Sequence, residues 1–472
     1  MPASGPAKLL VDPRQLSHER IPRDSLQNNR NLPLLRTGHQ QPTTFPPVDT
    51  VFIIVSALKI FGFTFLVILP LVAYSTYAER RVCAIIQDRV GPNRVGLPTT
   101  LLGFKKDLKF FGLVQPLADG LKGLFKEDFT PAHVRKAFYW MAPAFTAAPA
   151  FITLCVIPFG SAVTLFGHEI QMVIADIGVG PLFIFAIASL SVYGITLAGW
   201  ASNSKYPFLG GVRSCAQMIS YEISLGLSLI PILLFFGKLN LTDIVTHQAA
   251  NGWLLLPLWN ENGTVIHEGY WQSSGYQWLL LLPMGISFLV FTTSIFAETN
   301  RMPFDLPECE TELVGGYHTE YSSMKFALFF MGEYAAMIVG STLIVTIFFG
   351  GWSLGFGLDA ALLQTEGGDW KWYAGFIHMG AFLAKTIAFI LFFIWVRWTV
   401  PRFRYDQLMK LGWVVFFELA LFNIFLAALI IAAPHIGFLN TLLFGFPSLT
   451  VIAALMFFIT KANEDKRRVK IT

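Results

Sequence analysis

Six carboxylates crowd one short stretch of this sequence, between positions 298 and 320, and a single arginine, Arg301, stands among them. The carboxylates are those of Glu298, Asp305, Glu308, Glu310, Glu312 and Glu320. Carboxylates that lie this close raise one another's pKa, so part of such a set can hold protons near neutral pH. The chemistry that this stretch favours is therefore the uptake and transfer of protons.

A solvated acidic loop is the plain alternative, and a docking surface for another protein is a second one. Pro303 and Pro307 count against a solvated loop, because proline fixes φ and stiffens the turn. Apolar residues are also interleaved with the acids, namely Phe304, Leu306, Leu313 and Val314. A loop of this composition is expected to pack against other protein. From the residues alone, proton handling and docking both remain open.

Other ionisable residues fall inside long apolar stretches, where a charge costs roughly 2.5–3.5 kcal/mol on insertion scales. Lys59 lies near an end and can extend its ammonium group to the interface, and Glu418 also lies toward an end, so a structural role stays open for both. Lys385 lies in the middle of its stretch, and we predict a proton-handling or counter-ion role for it. Glu222 and Glu333 are predicted to line a polar internal path.

Composition indicates what kind of element must hold these residues. Of 472 residues, 54% are hydrophobic and 14% are charged, and the mean hydropathy is +0.56. Soluble domains carry about 25% charged residues. Stretches long enough for a spanning helix, about 20 residues, lie near 51–78, 138–160, 181–200, 219–237, 276–297, 324–349, 373–396, 412–433 and 437–460. The predicted fold is all-α and polytopic, with about nine transmembrane helices, because membrane β-strands would be shorter and alternating.

Basic residues are distributed unevenly among the predicted loops. The odd-numbered loops and the C-terminal tail hold 23 Lys and Arg residues, whereas the even-numbered loops hold two. The positive-inside rule then places the odd loops and the C-terminus in the cytoplasm and the N-terminus outside. We predict three regions: a disordered extension over 1–50, which contains eight prolines, a helical membrane domain over 51–460, and a basic tail over 461–472.

The first long loop contains an amphipathic segment. Leucines recur at near-helical spacing at Leu113, Leu117, Leu121 and Leu124, and polar residues separate them. This pattern predicts a helix that lies in the membrane interface. Simple anchoring and the lining of an entry for a lipid-soluble ligand are both compatible with it.

Several kinds of site find no support in the sequence. The four cysteines are scattered without a CxxC pair, so no iron–sulfur or zinc site can be identified. The sequence contains no GxxxxGK[ST], HExxH or GxSxG motif, and so it does not favour nucleotide, zinc-protease or serine-hydrolase chemistry. A net charge of +4 gives no indication of nucleic-acid binding.

Over residues 50–460 the chain resembles the quinone-pocket membrane subunit of respiratory complex I, the bacterial NADH:quinone oxidoreductase. The segments that carry the resemblance are ERRVCAIIQDRVGPNRVG from Glu79, LVQPLADGLK from Leu113, GWASNSKYPFLGGVRSCAQMISYEI from Gly199, ETNRMPFDLPECETELVGGYHTEYSSMKFALFFMGEY from Glu298 and VRWTVPRFRYDQLMKLGW from Val396. The extension before residue 50 departs from the family pattern, and the ninth span occurs in only some members.

This resemblance implies a set of roles. The family binds ubiquinone or menaquinone as substrate in a narrow chamber, and carries no FMN, iron–sulfur cluster or metal of its own. By motif, the proton path would use Glu222, Glu298, Glu308, Glu310, Glu312 and Glu333, to which the mid-span position adds Lys385. The supporting ion pairs would involve Arg213, Arg301 and Asp305, and the chamber would be bounded near Asp119, Phe326 and Phe330. Arg80 and Arg81 would face the peripheral arm.

The resemblance also implies partners and a location. The chain would contact the peripheral-arm iron–sulfur and quinone-site subunits, small membrane subunits, antiporter-like subunits and the lipid bilayer of a bacterial plasma membrane, but no nucleic acid. Three alternatives are a stand-alone proton or cation transporter, a purely structural membrane anchor, and the membrane subunit of an energy-converting hydrogenase. The complete ETNRMPFDLPE segment favours the quinone enzyme over the hydrogenase.

Overall fold

A computed structural model describes most of the membrane domain. The described residues are 50–96, 111–165, 168–255, 277–307, 310–355, 358–363, 370–371, 373–436, 445, 447–454 and 456. The chain divides into a short unit, Met1–Ile53, and a larger unit, Ile54–Thr472, and every contact discussed below lies within the larger one. The predicted extension and the predicted basic tail fall almost wholly outside the described residues, so both remain predictions.

Helices dominate the described part of the chain, as the all-α prediction requires. In chain order they are α1 (Val55–Ile86), α2 (Gln115–Phe125), α3 (Lys136–Leu154), α4 (Gly180–Ala201), α5 (Lys205–Phe236), α6 (Leu241–Asn251), α7 (Leu280–Glu298), α8 (Glu310–Leu313), α9 (Ser323–Phe348), α10 (Ala374–Thr399) and α11 (Tyr405–Ala432). Except for α2, α6 and α8, these helices are long and apolar enough to cross a membrane, which makes eight within the described residues. The prediction of a polytopic helical membrane protein is confirmed.

Two predicted span boundaries differ most from the structure. Hydropathy ends the first span at residue 78, but α1 continues to Ile86, and the fourth begins at Lys205 instead of 219. Hydropathy ends a span where charges begin, whereas these helices continue because their charged side chains find partners in the fold. The ninth predicted span, 437–460, lies mostly outside the described residues, although 447–454 is helical.

Two spanning helices contain π-helical turns, at Phe63–Ile68 in α1 and at Leu411–Phe416 in α11. Such turns shift the face that the following residues present, and they are frequent at functional sites. Prolines interrupt other helices, at Pro143 and Pro149 in α3 and Pro283 in α7. The strands Val163–Leu165 and His168–Ile170 form one antiparallel pair, and Gly316–His318 is a short 3₁₀ helix.

Helix α9 is the most buried of the eight spans and forms the centre of the bundle. It packs against α3, α7 and α10, while α5 packs against α4, α7 and α11. Close packing brings the segment after α8 onto α5, where a Cβ at Gly210 would lie 2.9 Å from the Cα of Gly316. Because only glycine permits this approach, α5 fixes the position of the loop between α7 and α9.

Candidate functional site

A buried ion cluster lies where α1, α9 and the segment after α7 meet. Nη1 of Arg301 donates to Oε2 of Glu79 at 2.9 Å, and Nε of Arg301 lies 2.7 Å from Oε1 of Glu333. Only 3% of the Arg301 side chain is exposed. Burial of these charges is tolerable only because each has an oppositely charged partner, and the two carboxylates keep the pKa of Arg301 above its ordinary value.

Two further side chains complete this cluster, which we call the Glu79 cluster: Glu79, Arg301, Glu333, Tyr334 and Arg397. The Tyr334 hydroxyl donates to Oε2 of Glu79 at 2.7 Å, and its ring lies 4.1 Å from the guanidinium carbon of Arg301. Arg397, from the end of α10, pairs with the other oxygen of Glu79. In the described part of the chain, Nη2 of Arg301 and Nε of Arg397 have no hydrogen-bond acceptor. The cluster thus retains donors that a rearranged carboxylate or a polar ligand can use.

The loop after α7 is fastened to the loop after α10. Arg402 pairs with Asp305 at 3.2 Å, the backbone N–H of Phe403 donates to the carbonyl of Pro303, and the Phe304 and Phe403 rings stack 5.4 Å apart. Burial and the nearby carboxylate of Glu333 raise the pKa of Asp305 to about 6, against the lowering effect of the neighbouring arginines. Asp305 therefore titrates close to neutral pH, and its closest cationic partner is Arg402.

Gln217 on α5 holds the same loop from the other side. Its amide nitrogen donates to the carbonyls of Ala297 and Phe304, both at 2.8 Å, and lies 3.2 Å from Oδ1 of Asn300. The backbone of Asn300 is left-handed, with φ of 51°, which turns the chain sharply at the end of α7. One buried amide thus binds both ends of the turn that presents Arg301.

The acidic stretch divides between the interior and the surface. Glu312 pairs with Arg213 of α5 at 2.7 Å, but 53% of its side chain is exposed. Glu320 lies at the limit of ion-pair distance, 4.0 Å, from His133. Glu308 lies outside the described residues, and the structure describes only the backbone of Glu310. The predicted crowding of all six carboxylates therefore stays a prediction.

Glu298 and Glu222 form a second polar region beside the Glu79 cluster. Glu298 lines a cavity of about 60 Å³ between α3, α4, α5, α7 and α9. The polar residues that line this cavity with it are Thr146, Thr153, Ser191 and Thr299. Glu222 on α5 is half-buried and close enough to interact electrostatically with Glu298. A cavity of this volume has room for a few water molecules, and Glu298 is the one carboxyl in its described lining.

Lys385 lies apart from the glutamates. Its ammonium group donates to the carbonyls of Phe349 and Gly351, at 2.8 and 3.0 Å, and to that of Ser353, and it lies 4.2 Å from the ring centre of Trp253. These partners belong to the turn after α9, at the opposite end of that helix from the loop that carries Arg301. The structure thus places Lys385 in a different polar group from Glu222, Glu298 and Glu333.

Aromatic side chains form a row that leads to the Glu79 cluster. The Phe326 and Phe330 rings lie 4.8 Å apart on α9, and the Phe330 and Tyr334 rings stack at 6.4 Å. His318 contacts both phenylalanines, at 5.2 and 6.3 Å between ring centres, and burial lowers its pKa to about 4, so it is neutral at neutral pH. Phe330 remains 38% exposed, and the row offers an apolar wall that ends at a hydroxyl.

The amphipathic helix is present as α2, and its apolar side is not covered by the described part of the chain. The exposed apolar side chains are those of Leu117, Leu121, Leu124 and Phe125. Asp119 accepts hydrogen bonds from Arg80, at 2.8 Å, and from Gln115, at 3.0 Å. Arg81 donates to the carbonyl of Val90. Arg80 of α1 and Asp119 of α2 are therefore partners of each other.

Sequence reasoning missed three members of the Glu79 cluster: Glu79, Tyr334 and Arg397. Hydropathy ends the first span just before Glu79, which makes this glutamate look like a loop residue. Its position at the head of the ERRVC segment is the available signal. Tyr334 and Arg397 also stand in the segments from Glu298 and Val396, but only the packing of α9 and α10 brings them to Glu79.

Comparison with known proteins is consistent with this geometry. The family model of NADH dehydrogenase matches residues 58–428. The chain is 47% identical over 360 residues to an H-type subunit of NADH-quinone oxidoreductase from Geobacter metallireducens, which covers 76% of this chain and 92% of that protein. It is 44% identical over 391 residues to the corresponding H-type protein of Leptospira biflexa, covering 81% of this chain and 96% of that protein. The chain therefore belongs to the NADH dehydrogenase family, and its relatives carry the name of the H-type subunit of NADH-quinone oxidoreductase.

Proposed function

We propose that this chain forms the quinone chamber of a proton-translocating NADH:quinone oxidoreductase and couples quinone reduction to proton transfer. The observation that carries the proposal is the aromatic row of Phe326, Phe330 and Tyr334, which leads from a half-exposed phenylalanine to a buried ion cluster. An apolar path suits a lipid-soluble quinone, and the charges at its end can respond to the electrons that the quinone accepts.

In this proposal the quinone enters from the bilayer beside α2. The uncovered leucines of α2 lie in the membrane interface, and the chamber extends from Asp119 along Phe326 and Phe330. Flavin and iron–sulfur clusters are held by partner subunits of the peripheral arm, which Arg80 and Arg81 face. The odd loops and the C-terminus lie in the cytoplasm of a bacterial plasma membrane, where the small and antiporter-like membrane subunits adjoin this chain.

Coupling begins with a change of charge. Reduction of a quinone takes up two electrons and two protons. Until the protons arrive, the reduced quinone carries negative charge, and in this proposal that charge arises beside Tyr334 and Arg301. Because Tyr334 donates to Glu79 and Arg301 bridges Glu79 and Glu333, a proton withdrawn from one member changes the pairing of all. The loop that carries Arg301 is the two-state element through which the change spreads.

The proton path then leads through the acidic residues on either side of that loop. Glu333 belongs to the Glu79 cluster, Glu298 lines the cavity, and Glu222 interacts electrostatically with Glu298. Glu312 pairs with Arg213 at the surface, and Glu308 and Glu310 are its neighbours in sequence. These three glutamates serve either as the entry for protons or as a contact for a partner protein. Arg301 and Asp305 support the path by setting the charge of its inner members.

The test is Glu312→Gln in the assembled complex, with Glu127→Gln as the matched control, since Glu127 is an exposed glutamate without a described ion pair. NADH-driven quinone reduction and proton uptake are measured together in proteoliposomes. We expect Glu312→Gln to lower both rates by the same factor while the complex retains its flavin and iron–sulfur subunits. Normal pumping by this variant removes Glu312 from the path.

A photoreactive quinone tests the chamber independently. Labelling of α2 or of the Phe326–Phe330 turn, suppressed by an excess of unlabelled quinone, supports the chamber. Labelling that avoids this chain altogether contradicts it. Purification adds a further check: a chain that is active as a lone carrier without flavin or iron–sulfur partners would be a transporter instead.

A further inference from the structure

Helix α2 is attached to the bundle differently at its two ends. Near its N-terminal end the described polar contacts are the Arg80–Asp119 pair and a hydrogen bond from the Tyr77 hydroxyl to the carbonyl of Phe111. The side chains of the ion pair are 53% and 38% exposed. Exposed ion pairs contribute little to stability because water competes for both charges, so the ion pair described at this end is a weak attachment.

At its C-terminal end α2 is bound by the residues that start α9. The Ser323 hydroxyl lies 2.9 Å from the carbonyl of Gly123 and 3.0 Å from that of Lys126, within reach of two carbonyls at the end of α2. Ser322 contacts the backbone of Phe129 through both its donor and its acceptor functions, each at 3.2 Å. Ser323 has a left-handed backbone, with φ of 53°, in a residue type that rarely adopts it. These serines connect the start of α9 to the chain that leaves α2.

Lys325 strengthens this attachment with a buried charge. Its ammonium group lies 3.1 Å from Oδ1 of Asp128 and donates to Oγ1 of Thr130 at 2.8 Å. The ring centres of Trp140 and Tyr139 lie 4.0 and 5.2 Å from it. Only 6% of the side chain is exposed, so the ammonium group has exchanged water for a carboxylate, a hydroxyl and two aromatic faces. The side chain of Asp128 is 39% exposed, so the burial is on the lysine side of this pair, where the two rings add cation–π contacts.

The same residue also lies next to the aromatic row along α9. Phe326 follows Lys325 directly, and Phe330 lies one turn further along α9. A Cβ at Gly123 would lie 3.7 Å from the sulfur of Met324, so α2 touches α9 at this point. A displacement of residues 128–130 would therefore also move the start of α9, which carries Phe326 and Phe330.

We propose that Lys325 is the positioning residue of a hinged flap: it clamps the C-terminal end of α2 through Asp128 and Thr130, and α2 opens at its Arg80–Asp119 end. The inference rests on the proposed function, because it makes α2 the movable side of the quinone entry. Lys325 itself does not touch the quinone. It sets where α2 returns when the entry closes over the aromatic row.

The kinetic test uses the assembled complex with Lys325→Met, Lys325→Arg and the control Lys122→Met, an exposed lysine on α2. Loss of the clamp raises the KM for quinones by about tenfold, and more for long-tailed than for short-tailed ones, with kcat less affected. Lys325→Arg retains the charge and restores most of the affinity, and Lys122→Met behaves as the wild type. NADH oxidation by ferricyanide, which bypasses the quinone, stays unchanged in all three.

Hydrogen exchange of the same complexes tests the hinge. In the wild type the amides of residues 117–119 exchange faster than those of residues 122–126, and Lys325→Met abolishes the difference. Equal exchange at both ends of wild-type α2, or an unchanged KM in an assembled Lys325→Met complex, overturns the proposal. If either of these results is obtained and quinone still photolabels this chain, only the proposed role of Lys325 is wrong. If photolabelling is absent as well, the proposed quinone chamber is also wrong.

Discussion

Nη1 of Arg301 lies 2.9 Å from Oε2 of Glu79, although 222 positions separate the two residues in the chain. Glu79 sits near the end of α1, and Arg301 sits just after α7. Neither charge would be tolerated alone where it is buried. Because Arg301 also pairs with Glu333, this one guanidinium joins the first helix, the central helix and the acidic loop, and it makes them one electrostatic unit.

The first prediction concerns Glu79→Gln. The substitution removes the negative charge that Arg301 and Arg397 share while keeping the shape of the side chain. Breaking a buried pair by neutralising one partner costs about 3–5 kcal/mol. We expect quinone reduction to fall at least about tenfold, with a lower thermal midpoint for the complex, measured by NADH-driven quinone reduction and by thermal unfolding.

Glu127→Gln is the control for this variant, since it makes the same chemical change at an exposed position. It should match the wild type in both measurements. Wild-type activity and stability in Glu79→Gln would show that the Glu79 cluster is neither a structural nor a functional unit.

The second prediction concerns the chamber wall. Phe330→Ala removes a half-exposed ring from the middle of the aromatic row. Truncation of an aromatic anchor costs more than about 1 kcal/mol of binding, so the KM for quinone should rise about tenfold while kcat changes little. Steady-state kinetics with two quinones of different tail length measure this.

Phe425→Ala on α11 provides a matched control, because Phe425 is exposed to a similar extent, 43% against 38%. It should leave the KM unchanged. An equal rise in KM for both variants would mean that the effect reflects general loss of apolar surface and not a chamber at Phe330.

The third prediction concerns the pH dependence of Asp305. Its pKa in the folded chain is about 6, above the ordinary value of 3.8. A carboxyl with a raised folded pKa stabilises the fold fully below its unfolded pKa, and this contribution is lost as pH rises through the folded pKa. The thermal midpoint of the wild type should therefore fall between about pH 4 and about pH 6 relative to that of Asp305→Asn. A difference between the two midpoints that does not vary with pH contradicts the raised pKa.

The fourth prediction separates stability from proton transfer at Lys385. Lys385→Met leaves the carbonyls of Phe349, Gly351 and Ser353 without their charged donor. Hydrogen bonds to a charged group contribute about 1.5–3 kcal/mol each, so the thermal midpoint should drop clearly. Because these partners lie far from Arg301 along α9, we expect the ratio of protons pumped to quinone reduced to be retained. A lower ratio in a stable Lys385→Met complex would assign Lys385 to the proton path.

Much of the architecture could be predicted because hydrophobicity is a local property. Each spanning helix must satisfy its own backbone hydrogen bonds in lipid, so a long apolar stretch is sufficient to identify it. The leucine spacing around Leu117 identified α2 for a similar reason, since the period of a helix can be read from neighbouring residues. Boundaries were less certain, because a charge ends a span in a hydropathy profile even when, as at Glu79, the fold neutralises it.

By itself, the amino-acid sequence determined the helical membrane fold, the interfacial helix, the family and the identity of the acidic loop. These depend on patterns within single segments. Only the tertiary structure decided which charges meet: Glu79 with Arg301 and Arg397, Asp305 with Arg402, and Lys385 with backbone carbonyls away from the glutamates. The physical reason is that pairing energy acts over a few ångströms, whereas distance along the chain says nothing about which helices pack side by side.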